Sequence, residues 1–159
     1  MTINRYRSSQ DRPVVYRDVV YVGISTNEEM LAIPNSYQCC TFRGSVVTVD
    51  ANTGKVLWKT YTVPPNGGNA EGYSGNPVWQ PSAIDPERGL LYVGTDNSYE
   101  VPVSVKACAK VNPKADCTAP DNYFDTALAL DLQERTHTVG KRSEPTMPGQ
   151  WLVSLTLPS

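Results

Sequence analysis

Short runs of alternating apolar and polar residues, rich in valine and tyrosine, follow one another along the chain with turn residues between them. The turns include Arg17-Asp18 and the Asn-Thr-Gly sequence of 52–54, whose glycine can adopt a positive φ. Four consecutive runs of this kind predict one antiparallel sheet. The predicted strands are 13–16, 19–24, 45–50 and 55–60.

The same order of strands is repeated further along the chain. Pro13–Gly23 returns, with substitutions, as Pro81–Gly94, and Ser45–Asp50 returns as Ala127–Asp131. The two Tyr-Val-Gly sequences are 71 positions apart and the two strand-ending aspartates are 81 apart. Repeats of short strands at such a period are typical of propellers and solenoids. We therefore expect an all-β fold made of β-propeller blades with four antiparallel strands each.

The repeat also predicts how the chain is divided. After Asp131, neither the turn glycine nor the tryptophan that follow Asp50 recurs. The predicted parts are an N-terminal extension (1–10), a first blade (11–62), a second blade (63–133) with an insertion at 96–125, and an atypical C-terminal tail (134–159).

Two explanations of this tail remain open. Truncation of the gene or a change of reading frame would end the repeat at this point, and we would then expect 134–159 to pack poorly and to be mobile. Alternatively, the alternation of apolar residues in 151–157 is sufficient for one edge strand.

Composition and charge exclude several classes of function. The net charge is −2 with scattered basic residues, which gives no electrostatic reason to expect nucleic acid as a partner. No apolar stretch approaches the roughly 20 residues of a membrane span. Cys108 and Cys117 lie in a polar loop, where they predict either a disulfide in an oxidising compartment or two free thiols. A metal site is poorly supported, because the single histidine, His137, is distant and no paired C-x-x-C is present.

One turn and its flanking strands resemble a known motif. Val49–Trp58 resembles the tryptophan-docking motif of the eight-bladed quinoprotein alcohol dehydrogenases, which depend on pyrroloquinoline quinone (PQQ). In such a motif the tryptophan, here Trp58, inserts between neighbouring blades. Together with Cys39–Ser45, Gly75–Trp79 and Tyr92–Asn97, the motif most resembles the polyvinyl-alcohol-dehydrogenase-like branch, over about residues 11–133.

The resemblance implies a PQQ site. Trp79 corresponds to the tryptophan on which the planar quinone stacks, although a tryptophan packed between blades is the alternative. Arg43 could pair with the acidic cofactor or remain solvated. Cys39 and Cys40 correspond to the vicinal disulfide that the family places against its quinone, although separate thiols or longer-range pairing remain open.

The resemblance also implies a calcium ion. Asn97 corresponds to a family asparagine whose amide oxygen ligates calcium, while Asp-Asn-Ser is also ordinary turn chemistry. Asp96 replaces a glycine, which either adds a ligand or blocks the site. The glutamate that methanol-oxidising relatives have four residues before Arg43 is here Cys39, so one calcium carboxylate is missing from that position.

The resemblance predicts a fragment of a PQQ-dependent alcohol dehydrogenase, with polyvinyl alcohol as a candidate substrate and a periplasmic or secreted location for the parent family. The reaction would be hydride transfer from an alcohol to a calcium-bound quinone. No residue matches the catalytic aspartate, which the family carries on a later blade, and three other carboxylates have no partner at a diagnostic spacing: Glu71, Asp121 and Asp125.

Two other interpretations remain. The chain could be a non-catalytic propeller module that binds another protein. Because two blades cannot close a ring, open blade edges could also lead several copies of the chain to associate.

Overall fold

The computed structural model describes residues 12–33 and 37–133, together with the backbone of 137–142. The first sheet has four antiparallel strands in sequence order. They lie within one residue of the four strands predicted for the first blade. These strands are β1 (Val14–Tyr16), β2 (Val19–Ile24), β3 (Ser45–Asp50) and β4 (Val56–Tyr61).

The other strands form a second four-stranded sheet and a small two-stranded one. They are β5 (Ser74–Gly75), β6 (Ala83–Asp85), β7 (Leu90–Gly94), β8 (Ser98–Glu100), β9 (Thr126–Asp131) and β10 (His137–Arg142). The second sheet has the order β10-β9-β7-β6, and β5 pairs with β8. All these pairs are antiparallel, so the molecule consists mainly of blade-type sheets.

The fourth strand of the second sheet was not predicted. β10 lies in the segment that the sequence assigned to the atypical tail, and it pairs with β9 through a register shift between His137 and Val139. The predicted extension 1–10, the edge strand 151–157 and the expected mobility of the tail concern residues outside the described part of the chain.

The two four-stranded sheets share one hydrophobic core. Trp58 of β4 is 7% exposed and belongs to a buried cluster with Tyr21 of β2 and with Leu91 and Leu130 of the second sheet. The rings of Tyr21 and Trp58 meet edge to face with centroids 6.3 Å apart. The Tyr21 hydroxyl donates to the Leu132 carbonyl at 3.4 Å, so Tyr21 and Trp58 join the two sheets.

Two helices lie in segments for which the sequence predicted only loops. α1 (Glu28–Ala32) follows β2, and α2 (Val103–Val111) lies in the predicted insertion. No residue of α2 is buried, and a disulfide between Cys108 and Cys117, with Cα atoms 5.9 Å apart, joins the helix to the loop after it. Neither helix of the described residues has the length and hydrophobicity of a membrane span.

Candidate functional site

Three segments that are distant in sequence meet at one end of the sheets. The Gly44 amide donates to the Gly75 carbonyl at 2.8 Å, and the Gly75 amide donates to the Phe42 carbonyl at 2.9 Å. The Asn76 amide donates to the Asn97 carbonyl at 2.9 Å. These bonds place the predicted site residues near 43, 79 and 97 around a common backbone junction.

A buried asparagine holds this junction together. The side chain of Asn76 is fully buried, and its Nδ2 donates to the Thr62 carbonyl at 2.9 Å and to Asn122 Oδ1 at 2.8 Å. Its Oδ1 accepts from the Ser98 hydroxyl at 2.9 Å. A buried amide whose nitrogen and oxygen are both bonded fixes the position of its neighbours, because leaving such a group unpaired is costly. Asn76 lies in the Gly75–Trp79 motif, but nothing in the sequence indicated that its side chain would be buried and hydrogen-bonded.

Trp79 and Asp96 are in direct contact. The indole Nε1 of Trp79 donates to Asp96 Oδ2 at 2.7 Å. The other carboxylate oxygen of Asp96 accepts from the Asn97 amide at 2.9 Å, and the Asp96 amide donates to the Pro77 carbonyl at 3.1 Å. Asp96 is partly exposed. The Asp96 carboxylate therefore fixes the orientation of the Trp79 ring through the indole nitrogen. It makes no polar contact with the faces of that ring.

A carboxylate that sequence analysis missed lies beside Asn97. Glu29, exposed at the start of α1, has its Oε1 3.4 Å from Asn97 Nδ2. Asn97 Nδ2 thus donates to a carboxylate oxygen of Glu29, whereas the position of Cys39 offers no carboxylate. The two residues are 68 positions apart and Glu29 belongs to an unpredicted helix, so no local pattern could reveal their contact.

Tyr99 lies close to this acidic group. Burial, followed by the nearby charges of Glu29, Asp96 and Glu28, raises the pKa of Tyr99 to about 12. Its hydroxyl therefore remains protonated at neutral pH. The ring of Tyr99 also packs on that of Phe42, with centroids 6.4 Å apart.

Cys39 and Cys40 form a disulfide with each other, and Cys40 is fully buried. Of the alternatives that the sequence left open for these cysteines, the structure has the vicinal disulfide and not separate thiols or longer-range pairing. The disulfide lies two residues before Phe42, on the same segment as Arg43.

Arg43 is held by a different set of neighbours from Trp79. One of its terminal nitrogens donates to the Val63 carbonyl at 2.8 Å, and its guanidinium lies 3.7 Å above the centre of the Tyr61 ring. Its Nε is buried and has no hydrogen-bond partner among the described residues. The arginine is therefore held in place while one donor remains unused.

Of the other acidic candidates, Asp125 contacts the site through its backbone. Glu71 and Asp121 are exposed, and the side chain of His137 lies outside the described residues. Asp125 has a positive φ of 45° and its amide donates to the Asp96 carbonyl at 3.3 Å. Within the described ranges, no three His, Cys, Asp or Glu side chains are grouped as a metal site would require. Any cation here would need the amide oxygen of Asn97 in addition to carboxylates.

Comparison with protein families decides how this fold is classified. The model of the PQQ family, described as the glucose/ethanol/alcohol dehydrogenase β-propeller domain, matches residues 2–102. The chain belongs to this PQQ β-propeller family. The match includes the Cys39–Cys40 disulfide, Trp79 and the Asp96-Asn97 pair.

Among curated relatives, the chain is similar to two polyvinylalcohol dehydrogenases. It is 41% identical to that of a Pseudomonas sp. over 55% of this chain and 15% of the relative. It is 39% identical to that of Sphingopyxis sp. (strain 113P3) over 67% of this chain and 19% of the relative. The chain thus spans less than a fifth of the length of these relatives.

Solved structures show the same fold. The quinohemoprotein alcohol dehydrogenase of Comamonas testosteroni aligns with 86% of this chain and 22% of its own, with a TM-score of 0.57 and 22% identity. That of Pseudomonas putida HK5, ADHIIG, aligns with 84% of this chain and 19% of its own, with a TM-score of 0.56 and 23% identity. These structures support a partial quinoprotein-like β-propeller, as predicted.

Proposed function

We propose that this chain forms part of a PQQ- and calcium-dependent alcohol dehydrogenase, with small or polymeric alcohols, including polyvinyl alcohol, as substrates. The observation that carries the proposal is the 2.7 Å bond between Trp79 and Asp96, directly beside Asn97 and Glu29. It combines a flat aromatic surface and a group of oxygen ligands, the two features that a planar quinone with a bound hard cation requires. Membership of the PQQ family and the polyvinylalcohol dehydrogenase relatives support this choice.

The residues present fit both groups. Trp79 offers a ring whose nitrogen is already bonded, so only its apolar faces remain for stacking. Arg43 carries a positive charge that the Val63 carbonyl and the Tyr61 ring hold in place, which suits an acidic cofactor. The Cys39–Cys40 disulfide lies on the same segment as Arg43 and would lie against the quinone.

The cation would be held by carboxylate oxygens of Asp96 and Glu29, and by Asn97 Oδ1 after the amide turns, because it is Nδ2 that faces Glu29 in this structure. Glu29 provides the carboxylate that the position of Cys39 lacks, and Asp96 restrains the indole ring at the same time. When bound, PQQ supplies the hydride acceptor and calcium supplies the Lewis acid. The chain's own residues would bind and orient these groups. We assign no catalytic base in this chain.

A thermal unfolding experiment tests the proposal. A ligand that binds only the native state raises the melting temperature. We expect PQQ with Ca²⁺ to stabilise the wild-type chain and Trp79→Phe, but to stabilise Trp79→Ala much less, because alanine removes the aromatic surface. Asn97→Ala should reduce the part of the shift that depends on Ca²⁺.

Glu71→Gln is a matched control for the loss of a polar group, since Glu71 is exposed and outside the site. It should respond like the wild type. An equal shift in Trp79→Ala and wild type would contradict the proposed stacking. No shift in any of them would favour the second candidate function, a non-catalytic module.

That second candidate has one structural observation in its favour. Val15 of β1 is 63% exposed, and Val56 and Tyr61 of β4 are 55% and 40% exposed. β1 and β4 are the two edge strands of the first sheet, so both edges carry exposed apolar side chains. Unpaired sheet edges of this kind can pair with another chain. Another protein or another copy of the chain could cover them, and native mass measurement distinguishes a monomer from an assembly. The two disulfides support a periplasmic or secreted location.

A further inference from the structure

Glu28 is a buried carboxylate for which the proposed cofactor site has no role. It lies next to Glu29 at the start of α1 but is only 6% exposed. A buried charge is stable only when it is well hydrogen-bonded. The groups that donate hydrogen bonds to the Glu28 carboxylate therefore indicate its structural role.

The partners of the Glu28 carboxylate belong to the segment around the vicinal disulfide. Oε1 of Glu28 accepts from the Tyr37 hydroxyl at 2.5 Å, from the Thr41 amide at 2.9 Å and from the Thr41 hydroxyl at 3.2 Å. Oε2 accepts from the Phe42 amide at 2.7 Å. Burial raises the pKa of Glu28, but the bonds from Tyr37, Thr41 and Phe42 outweigh it, so its pKa is lower than usual.

The same segment reaches the site by a second route. Phe42 packs on Tyr99, two residues beyond Asn97, and its carbonyl accepts from the Gly75 amide. Glu28 therefore connects α1 to a segment that is itself fixed to the strand after Asn97.

We infer that Glu28 is a positioning residue that fastens α1 to residues 37–42 and so holds Glu29 against Asn97. The contacts of Glu28 involve no cofactor. The inference rests on the proposed function only in its explanation of why Glu29 is held beside Asn97, namely as a calcium ligand. The two adjacent glutamates then have different roles. The buried one fixes the helix, and the exposed one presents its carboxylate at the site.

The side-chain amide resonances of Asn97 report the position of Glu29 directly, without any ligand. In the full chain, Glu29→Gln should change these resonances and thereby calibrate the effect. Glu28→Gln replaces the acceptor Oε2 with a donor that faces the Phe42 amide. We expect it to shift the Asn97 resonances in the same direction as Glu29→Gln and to speed exchange of the Thr41 and Phe42 amides by roughly tenfold, as for the loss of bonds to a charged acceptor.

Two further variants complete the test. Tyr37→Phe removes a single donor from a residue that is 39% exposed, so it should fold even if Glu28→Gln does not, and it should give a smaller change of the same kind. Glu71→Gln should leave Asn97, Thr41 and Phe42 unchanged.

Unchanged Asn97 resonances in both Glu28→Gln and Tyr37→Phe would overturn the inference, whether or not Thr41 and Phe42 exchange faster. Addition of Ca²⁺ to the wild-type sample separates this result from the proposed function. If Ca²⁺ leaves Asn97 unaffected while the variants behave as expected, the cation site fails and the positioning role of Glu28 stands.

Discussion

Gly44 lies where two segments of the candidate site approach most closely. A Cβ atom at this position would collide with the backbone carbonyl of Asn76 and with the Thr62 hydroxyl. Both are fixed, because that hydroxyl donates to the Asn76 carbonyl at 2.6 Å. Glycine is therefore required here by the lack of space, next to Arg43.

Replacing this glycine should be costly. Gly44→Ala should lower the free energy of unfolding by about 1–3 kcal/mol, the usual range for an overpacked site, as measured by urea denaturation. Gly94→Ala is the matched control, because a Cβ atom at that position would meet no atom of the described residues within 4 Å. Equal stability of the two variants would show that the segments near Gly44 separate easily.

Sequence analysis found some of the site residues and missed others. Trp79, Asp96 and Asn97 were found because they lie in short motifs of a recognisable family, and the structure places them side by side. Glu28 and Glu29 were missed because their role depends on contacts with residues far along the chain. That Trp79, Arg43, Cys39 and Cys40 bind PQQ, and that Asn97 and Asp96 bind calcium, remain predictions.

The turn between β3 and β4 is stabilised by a single carboxylate. Asp50 Oδ1 accepts from the Asn52 amide at 3.0 Å, from the Thr53 amide at 2.7 Å and from the Thr53 hydroxyl at 2.8 Å. The bonds from the Thr53 amide and hydroxyl are the main reason why the pKa of Asp50 is lower than usual. Gly54 completes the turn with a φ of 72°.

This depressed pKa makes the turn sensitive to acid. A carboxylate whose pKa is lower in the folded state adds stability above its unfolded pKa of about 3.9, and that stability is lost as the pH falls through the folded value. Asp50→Asn should therefore be less stable than the wild type at pH 7, with the difference shrinking below about pH 4. Urea midpoints of both proteins across this range measure the effect, and a difference that is constant with pH would contradict it.

The strands of the first sheet could be predicted because the alternation of apolar and polar residues, the turn glycine Gly54 and the docking tryptophan Trp58 all indicate the same strands. β10 could not, since Arg135 and Val139 stand at the positions that correspond to Gly54 and Trp58 of the first blade. α2 was missed for a different reason. Its valines and alanines fall on alternate positions from 103 to 111, which is the period of a strand rather than of a helix, and none of its residues is buried.

The whole molecule depends on the core between the two four-stranded sheets. Trp58 is buried in that core, whereas its neighbour Leu57 is 39% exposed. Trp58→Ala should lower the free energy of unfolding by about 3–5 kcal/mol, as is usual for a buried aromatic side chain. Leu57→Ala should have a much smaller effect in the same denaturation experiment, and similar losses for both would contradict the role of Trp58 between the sheets.

The central claim is that residues in the segments connecting these strands take part in holding PQQ with calcium, with Trp79 as the stacking surface. Equilibrium dialysis of PQQ against the full chain, with Ca²⁺ and with a chelator, tests it most directly. We predict retention of PQQ that requires Ca²⁺ and is lost in Trp79→Ala, while Glu71→Gln retains it. Retention that is equal in Trp79→Ala and the wild type, or no retention by the wild type, would contradict the claim.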